Sequence, residues 1–458
     1  LSAPPISARD LEPALFADQM YATRRRLVVL DAAFGLAVVL GWLTLIPSRL
    51  IIPGTTADVG RPGTVLCVLL FCWWLATRLS PELVMPGPQP IRWAALFFFL
   101  SLLVSYVIAF ARGLTPLEAN AADRSLLAGG AAFLGVILVA ADGISNWSRL
   151  RFLLQVFIWC CVYMSVIGLL QRVLPVNIVE YMQVPGLTNL GVPGFQVRGS
   201  GLRVPSTTTH YLELAAALSL AVPIAIHFAK FSAKQIVRGL YGAAAFLIVA
   251  GILVTISRTG IISIFIALLI LMPLWTWRTR YNIIAMGITA VVAISAIQPS
   301  TVRTIYDIFA GASEDSSIQV RTERYAMVGT YFSQRPWFGR GSGTWEWPMY
   351  QFLDNQWMRT ALENGIVGIV VLAGLHLTAI TVAAIAMRRA ETSEQRHLCL
   401  VLISTQVMAL FITYTFDCLT YTTYSLSLGM TVGLCGAVWR LTHPSREIRT
   451  SAPRWSRV

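Results

Sequence analysis

Twelve apolar runs, each near the length that crosses a bilayer, constrain what this chain can fold into. They fall at roughly 27–47, 63–79, 93–111, 125–141, 152–171, 209–228, 240–256, 259–275, 282–298, 365–387, 397–416 and 421–440. A spanning helix needs about 20 apolar residues. Inside hydrocarbon every backbone N–H and C=O must be satisfied within its own segment, so runs of this length specify helices. Only 12% of the 458 residues are charged and 56% are hydrophobic, whereas a soluble domain carries about 25% charged residues. The expected fold is all-α: a polytopic membrane protein of about 12 transmembrane helices.

Orientation follows from lysine and arginine. With the N-terminus in the cytoplasm, 21 of the 35 basic residues, both lysines included, fall on inner segments, as the positive-inside bias requires. The expected division is a cytoplasmic segment 1–26 and helices one to nine over 27–298 with an outer loop at 172–208. A loop domain on the outer face at 299–364, helices ten to twelve over 365–440 and a cytoplasmic tail 441–458 complete it. The net charge of +13 is the ordinary product of inner-loop arginine, and no nucleic-acid-binding signature accompanies it. Residues 1–26 lack the apolar core of a cleaved signal peptide. The seven cysteines lie within or at the ends of apolar runs. They form no CxxC or Cys/His spacing, and no His/Asp/Glu cluster has ligand spacing either, so no metal and no cofactor are expected. No Walker, GxSxG or dinucleotide-binding pattern is present.

The remaining 14 basic residues are all arginines on the outer side, six of them within 299–360. Arginine there runs against the topology bias and implies a task. Two connections are too long to be turns. Residues 172–208 are Pro/Gly-rich and read as an irregular outer loop. Within 299–364, residues 320–334 have helical spacing, with Val320, Tyr325, Val328 and Tyr331 as the apolar stripe. Pro336 and the run Gly339-Arg340-Gly341-Ser342-Gly343 then force a turn. A short helix follows from near Leu353, capped by Asp354 or Asn355, and leads into a span at Gly365. A cavity rimmed by Arg198, Arg203, Arg258, Arg321, Arg324, Arg335 and Arg340 would suit a lipid-linked phosphate or diphosphate.

Each candidate has two readings. Arg258, between two apolar runs, either snorkels to headgroups or faces a polar cavity. Arg321 and Arg324 share a helix face, so they either grip a diphosphate with two guanidinium forks or form a solvated face with Glu323. Asp354 is the leading general base, or else a capping carboxylate; Glu363 is the second candidate, or an interfacial acid. His210 stands where the first long loop meets a span and is either structural or substrate-facing.

Three blocks carry a resemblance: RGSGLRVPSTTTHYLELA (198–215), ISRTG (256–260), and the stretch from Arg321 through RPWFGRGSGTW to DNQWMRTALENGIVG (354–368). In their order and spacing the chain resembles the O-antigen ligase / O-antigen polymerase family, integral membrane glycosyltransferases that use undecaprenyl-diphosphate-linked glycans. The resemblance implies a GT-C-like bundle with a short helical periplasmic cap in the bacterial inner membrane. It implies an undecaprenyl-diphosphate-linked glycan donor and a glycan or lipid-linked acceptor whose hydroxyl attacks with inversion, without nucleotide sugar or metal. Arg258 and Arg321 match the arginines that hold the diphosphate. Arg198, Arg203, His210, Arg324, Arg340, Asn355 and Glu363 fall in or beside the matched blocks as substrate-binding candidates. Where ligases have His ahead of Asn, this chain has Asp354, which leans the reading towards a polymerase. A secondary transporter or flippase is the alternative that twelve spans allow; no repeat between halves is visible, and the polar residues concentrate in outer loops.

Overall fold

The computed structural model describes residues 31–79, 87–174, 177–191, 195–198, 201–297, 306 and 316–444. Along the chain, α1 (Ala32–Thr44), α2 (Pro62–Thr77) and α3 (Pro90–Ala111) are followed by α4 (Pro116–Arg124). That helix runs through a π-helical segment, Ser125–Ala132, into α5 (Phe133–Gly143). Next come α6 (Trp147–Val173), α7 (Tyr211–Phe231), α8 (Gln235–Val254), α9 (Arg258–Leu271) and α10 (Trp277–Ile297). The last four are α11 (Ser316–Gln334), α12 (Gln356–Arg389), α13 (Ser393–Thr415) and α14 (Thr422–Leu441). Every one of the twelve apolar runs falls on a helix, and α11 is additional to them. Among the described residues, 7 helices are long and apolar enough to cross a membrane. The protein is an all-α polytopic membrane protein.

Three helices are buried on all sides, α5 over Phe133 to Asp142 among them, as their apolar sequences require. In α7 every residue from Glu213 to Phe228 is buried, and in α14 every residue from Thr422 to Val438. Lipid offers no hydrophobic drive for helices to associate, so close packing has to hold them, and small residues permit it. A Cβ on Gly433 of α14 would stand 2.5 Å from that of Ala140 on α5.

At one end of the bundle Asp142 gathers Arg78, Arg92 (2.9 Å) and the indole N–H of Trp74 (2.9 Å). These residues come from segments that the arginine count assigns to the inner side. The opposite end carries β1 (Leu50–Ile51) paired antiparallel with β2 (Thr188–Asn189), and the ribbon of β3 (Gln196–Arg198) with β4 (Gly201–Arg203).

The same end carries α11 and a clasp between loop 335–345 and the start of α12. Val328 of α11 is buried with Trp345, Leu353, Met358 and Leu362, flanked by Tyr331 and Phe332. The expected stripe therefore holds at Val328 and Tyr331; Tyr325 is 47% exposed, and the side chain of Val320 lies outside the described residues. The cap of α12 is Asn355, whose side-chain oxygen accepts the N–H groups of Trp357 (2.9 Å) and Met358 (3.2 Å). Asp354 is released from that duty. Ten residues after Asn355 the helix breaks at Gly365 (φ 67, ψ −161), a conformation that L side chains avoid. The break frees the carbonyls of Leu362 and Glu363 to accept from Arg340 N (2.8 Å) and Gly341 N (2.9 Å). Ile366 and Val367 N–H donate back to Pro336 (2.8 Å) and Trp337 (3.2 Å). A Cβ at Gly365 would meet the Trp337 carbonyl carbon at 2.4 Å. The glycine-rich turn and the glycines of α12 are thus two halves of one clasp.

Candidate functional site

A cavity of about 390 Å³ opens at this end, where α1 and α3 finish and α2, α7 and α14 begin. Its walls come from the loop 45–61, the α4/π segment, the clasp, the first three turns of α12 and the connection 416–421. The sequence reading treated the first and last of these connections as mere turns. The structure corrects that, because both loops fold inward over the bundle end.

The far wall is organised by Arg359. Its guanidinium donates to Glu363 (2.9 Å) and Asp417 (3.4 Å) and stands 3.6 Å from Glu346. One cation therefore holds three carboxylates, each less than half exposed or buried outright. Burial pushes the Asp417 carboxyl up, with Arg359 opposing, and the same causes raise Glu346. On the near wall Arg124 pairs with Asp58 at 3.2 Å. Arg49 and Arg61 also line the cavity.

Beside this cavity stands Asp354. Its backbone is left-handed (φ 50), a conformation Asp tolerates better than most residues. One carboxylate oxygen, Oδ2, accepts from Arg324 Nη1 at 2.8 Å, and the side chain is 41% exposed. Arg324 Nε is buried without a partner among the described residues. The field of Asp354 is felt by His210, Asp417 and Tyr421, and the last two line the cavity.

His210 caps α7. Its Nδ1 accepts Leu212 N–H at 3.2 Å, and its Nε2 lies 3.2 Å from Gln196 Nε2. The ring lies against Tyr211 (4.3 Å) and Tyr421 (5.7 Å between centroids). Burial lowers its pKa to about 4, against the pull of Glu213 and Asp354. Between that value and the usual ~6.5 the unfolded chain binds a proton that the native state refuses. Stability is therefore expected to fall as pH drops from about 6.5 towards 4. His210→Gln should flatten that part of a melting-temperature profile, and an unchanged profile would count against the buried neutral ring.

The other sequence candidates are distributed as follows. Glu363 is in the cavity wall and Asn355 is the cap of α12. Arg203 and Arg340 are not among the residues that line this cavity. Arg203 donates to Tyr211 Oη (2.5 Å) and lies over its ring, while Arg340 donates to Tyr350 Oη (2.6 Å), 4.0 Å from Glu118. Arg258 opens α9, half-buried and away from the cavity lining, and Arg335 is exposed. Arg198 and Arg321 lie on β3 and α11, but their side chains fall outside the described residues. Sequence reasoning missed Arg49, Arg61, Arg124, Arg359, Asp58 and Asp417. A signal existed for the four arginines, since all belong to the outer set, but nothing local told them from Arg203 or Arg340. Among the described residues no group of three or more His, Cys, Asp or Glu could hold a metal ion.

A polytopic helical bundle with a polar, arginine-bearing cavity at one end, closed by a glycine clasp, is the class of protein that this fold and site define. Residues 243–373 match the family model described as O-antigen ligase. The chain carries a stretch similar to that family over those residues. The matched stretch holds Arg258, Arg321, Arg324, Arg340, Asp354, Asn355, Arg359 and Glu363. The block 198–215, with His210, and the loop of Arg49 and Arg61 lie outside it. No curated protein gives a match to the chain.

Proposed function

We propose that the protein is a membrane glycosyltransferase of the bacterial inner membrane, with both termini in the cytoplasm and the cavity on the periplasmic face. The donor is an undecaprenyl-diphosphate-linked glycan, and the acceptor is a sugar hydroxyl of a second glycan or lipid-linked glycan. The observation that carries this reading is the single-point pairing of Asp354 with Arg324 beside the cavity, inside the matched domain. Arg324 orients the carboxylate through Oδ2, and Oδ1 remains to take the proton of the attacking hydroxyl. As that oxygen bonds to the anomeric carbon, the bond to the diphosphate breaks on the opposite face, and the configuration inverts. Undecaprenyl diphosphate leaves with the electron pair. Arg258 and Arg321, the residues that match the family's diphosphate-holding arginines, stabilise the growing charge together with Arg324. A carboxylate at position 354 in place of the ligases' His favours polymerisation over ligation.

The test is reconstitution in liposomes with undecaprenyl-diphosphate-linked oligosaccharide, without nucleotide sugar and with EDTA present. The expected result is release of undecaprenyl diphosphate with a lengthened or transferred glycan. Binding of the lipid-linked glycan without release, whatever acceptor is offered, would turn the assignment to a carrier of such lipids.

A further inference from the structure

The cavity's charges are formally even but unevenly distributed. The carboxylates of Glu346, Glu363 and Asp417 cluster on Arg359, and Asp58 pairs with Arg124. Two arginines are left over. Arg49 and Arg61 both line the cavity, and neither makes an ion pair or side-chain hydrogen bond among the described residues. Arg49 Nε, Arg61 Nε and Arg61 Nη1 are buried without a partner. A buried guanidinium N–H left unpaired is costly, and placing two like charges together adds to the cost. Burial and the charge of Arg61 both lower the pKa of Arg49.

The backbone enforces the arrangement. Ile52 N–H donates to the Gly60 carbonyl at 2.9 Å, closing the loop and returning Arg61 to the side of Arg49. The stem is pinned by Ser48 N–H on Thr207 O (2.8 Å), Leu190 N–H on Arg49 O (3.1 Å) and the β1–β2 pair. Two such cations held side by side, with donors unspent, are a receptor for an oxyanion.

We infer that Arg49 and Arg61 form a subsite for one oxyanion, a carboxylate or a phosphate monoester, carried on a sugar in this cavity. The sugar as carrier rests on the glycan-transfer reading above; the oxyanion subsite does not. Around the two arginines the lining supplies hydroxyl and carboxylate partners for sugar hydroxyls at Ser101, Thr360 and Asp58, and aromatic faces at Phe98, Phe352 and Tyr421. With the four carboxylates of the cavity held by Arg124 and Arg359, the charge of Arg49 and Arg61 is left to balance one oxyanion between them. The subsite therefore selects an acidic glycan, and it lies on a loop outside the matched domain.

Calorimetry of the full chain in phosphatidylcholine nanodiscs tests this, with glucuronic acid, glucose 1-phosphate and neutral glucose as probes. One or both acidic probes should bind saturably, more weakly as salt rises, while glucose binds far less. Arg49→Gln and Arg61→Gln should each weaken binding by roughly tenfold or more, the loss expected for a charge-assisted hydrogen bond. Arg49→Lys should retain part of it, and Arg335→Gln, an exposed arginine away from the cavity, all of it. Absence of acidic-probe binding to the wild type, or equal binding by the Gln variants with an unchanged melting temperature, would overturn the subsite. If phosphatidylglycerol in the nanodisc abolished probe binding, the sugar would be overturned as the carrier in favour of a lipid headgroup. In the transfer assay, Arg61→Gln should lower the kcat/KM ratio of acidic over neutral acceptors about tenfold. If the wild type transferred to no acceptor, the glycosyltransferase reading would fail while the calorimetry still judged the subsite.

Discussion

Asp354→Asn should lower the rate of glycan transfer by about 10²–10⁴, the usual contribution of a positioned general base, with little change in melting temperature. Asparagine suits the test because it tolerates the left-handed backbone that residue 354 adopts and can still accept from Arg324, but it cannot take up a proton. Alanine removes the Arg324 contact as well, so it confounds base and support. Asp354→His restores the residue that ligases carry ahead of their Asn. Since His also tolerates φ near 50, this variant should recover part of the activity that Asn loses. An Asn variant as fast as the wild type would remove Asp354 from the chemistry and return attention to Glu363. That carboxylate is already bound by Arg359 (2.9 Å) and approached by Trp345 N–H (3.4 Å), so it is less free to accept a proton.

Loss of the Arg359 side chain should have the largest effect on the fold. Arg359→Ala leaves Glu363, Asp417 and Glu346 facing one another with no cation among them. Breaking a buried ion pair by removing one partner costs about 3–5 kcal/mol, and here three acids lose the same partner. Thermal unfolding in detergent should show a clear fall in melting temperature at neutral pH. The pH dependence supplies a second readout. Burial already raises the Asp417 and Glu346 carboxyls in the folded state while Arg359 pulls them down, so removing Arg359 raises them further. A raised carboxyl contributes stability below its unfolded pKa and loses it as pH rises through the folded one. The deficit of the variant should therefore shrink on acidification from pH 7 to 5. Arg359→Lys, a point charge on a stem that cannot reach three carboxylates, should lie between. A variant that melts with the wild type at pH 7 would mean that these acids are neutral or solvated.

Much of the site's backbone was legible because its causes are local. Asn355 announces a cap by its chemistry. The glycines at 339 and 341 announce a turn, whereas Gly365 reads as the start of a span, and only the fold reveals its positive φ and the clasp it makes with that turn. Asp354 stood out as an acid at a helix entrance. What could not be read was which outer arginine faces the cavity. Arg340 and Arg359 lie in the same outer region, yet one is spent on Tyr350 and the other gathers the acids of the wall.

The sequence by itself determined that this chain is a bundle of membrane helices and where its long apolar helices lie. An apolar run of about 20 residues has no other way to satisfy its backbone in lipid, and that argument needs no neighbour. Only the tertiary structure decided the cavity. Arg359 meets Asp417 across 58 residues and Arg124 meets Asp58 across 66. Arg49 and Arg61 become a pair only because the loop between them closes on itself. Contacts of that range depend on how helices pack, and in a membrane packing is set by the fit of small residues against one another. Hydrophobic pattern, the strongest signal in this sequence, is nearly uniform along the spans and leaves their arrangement to that fit.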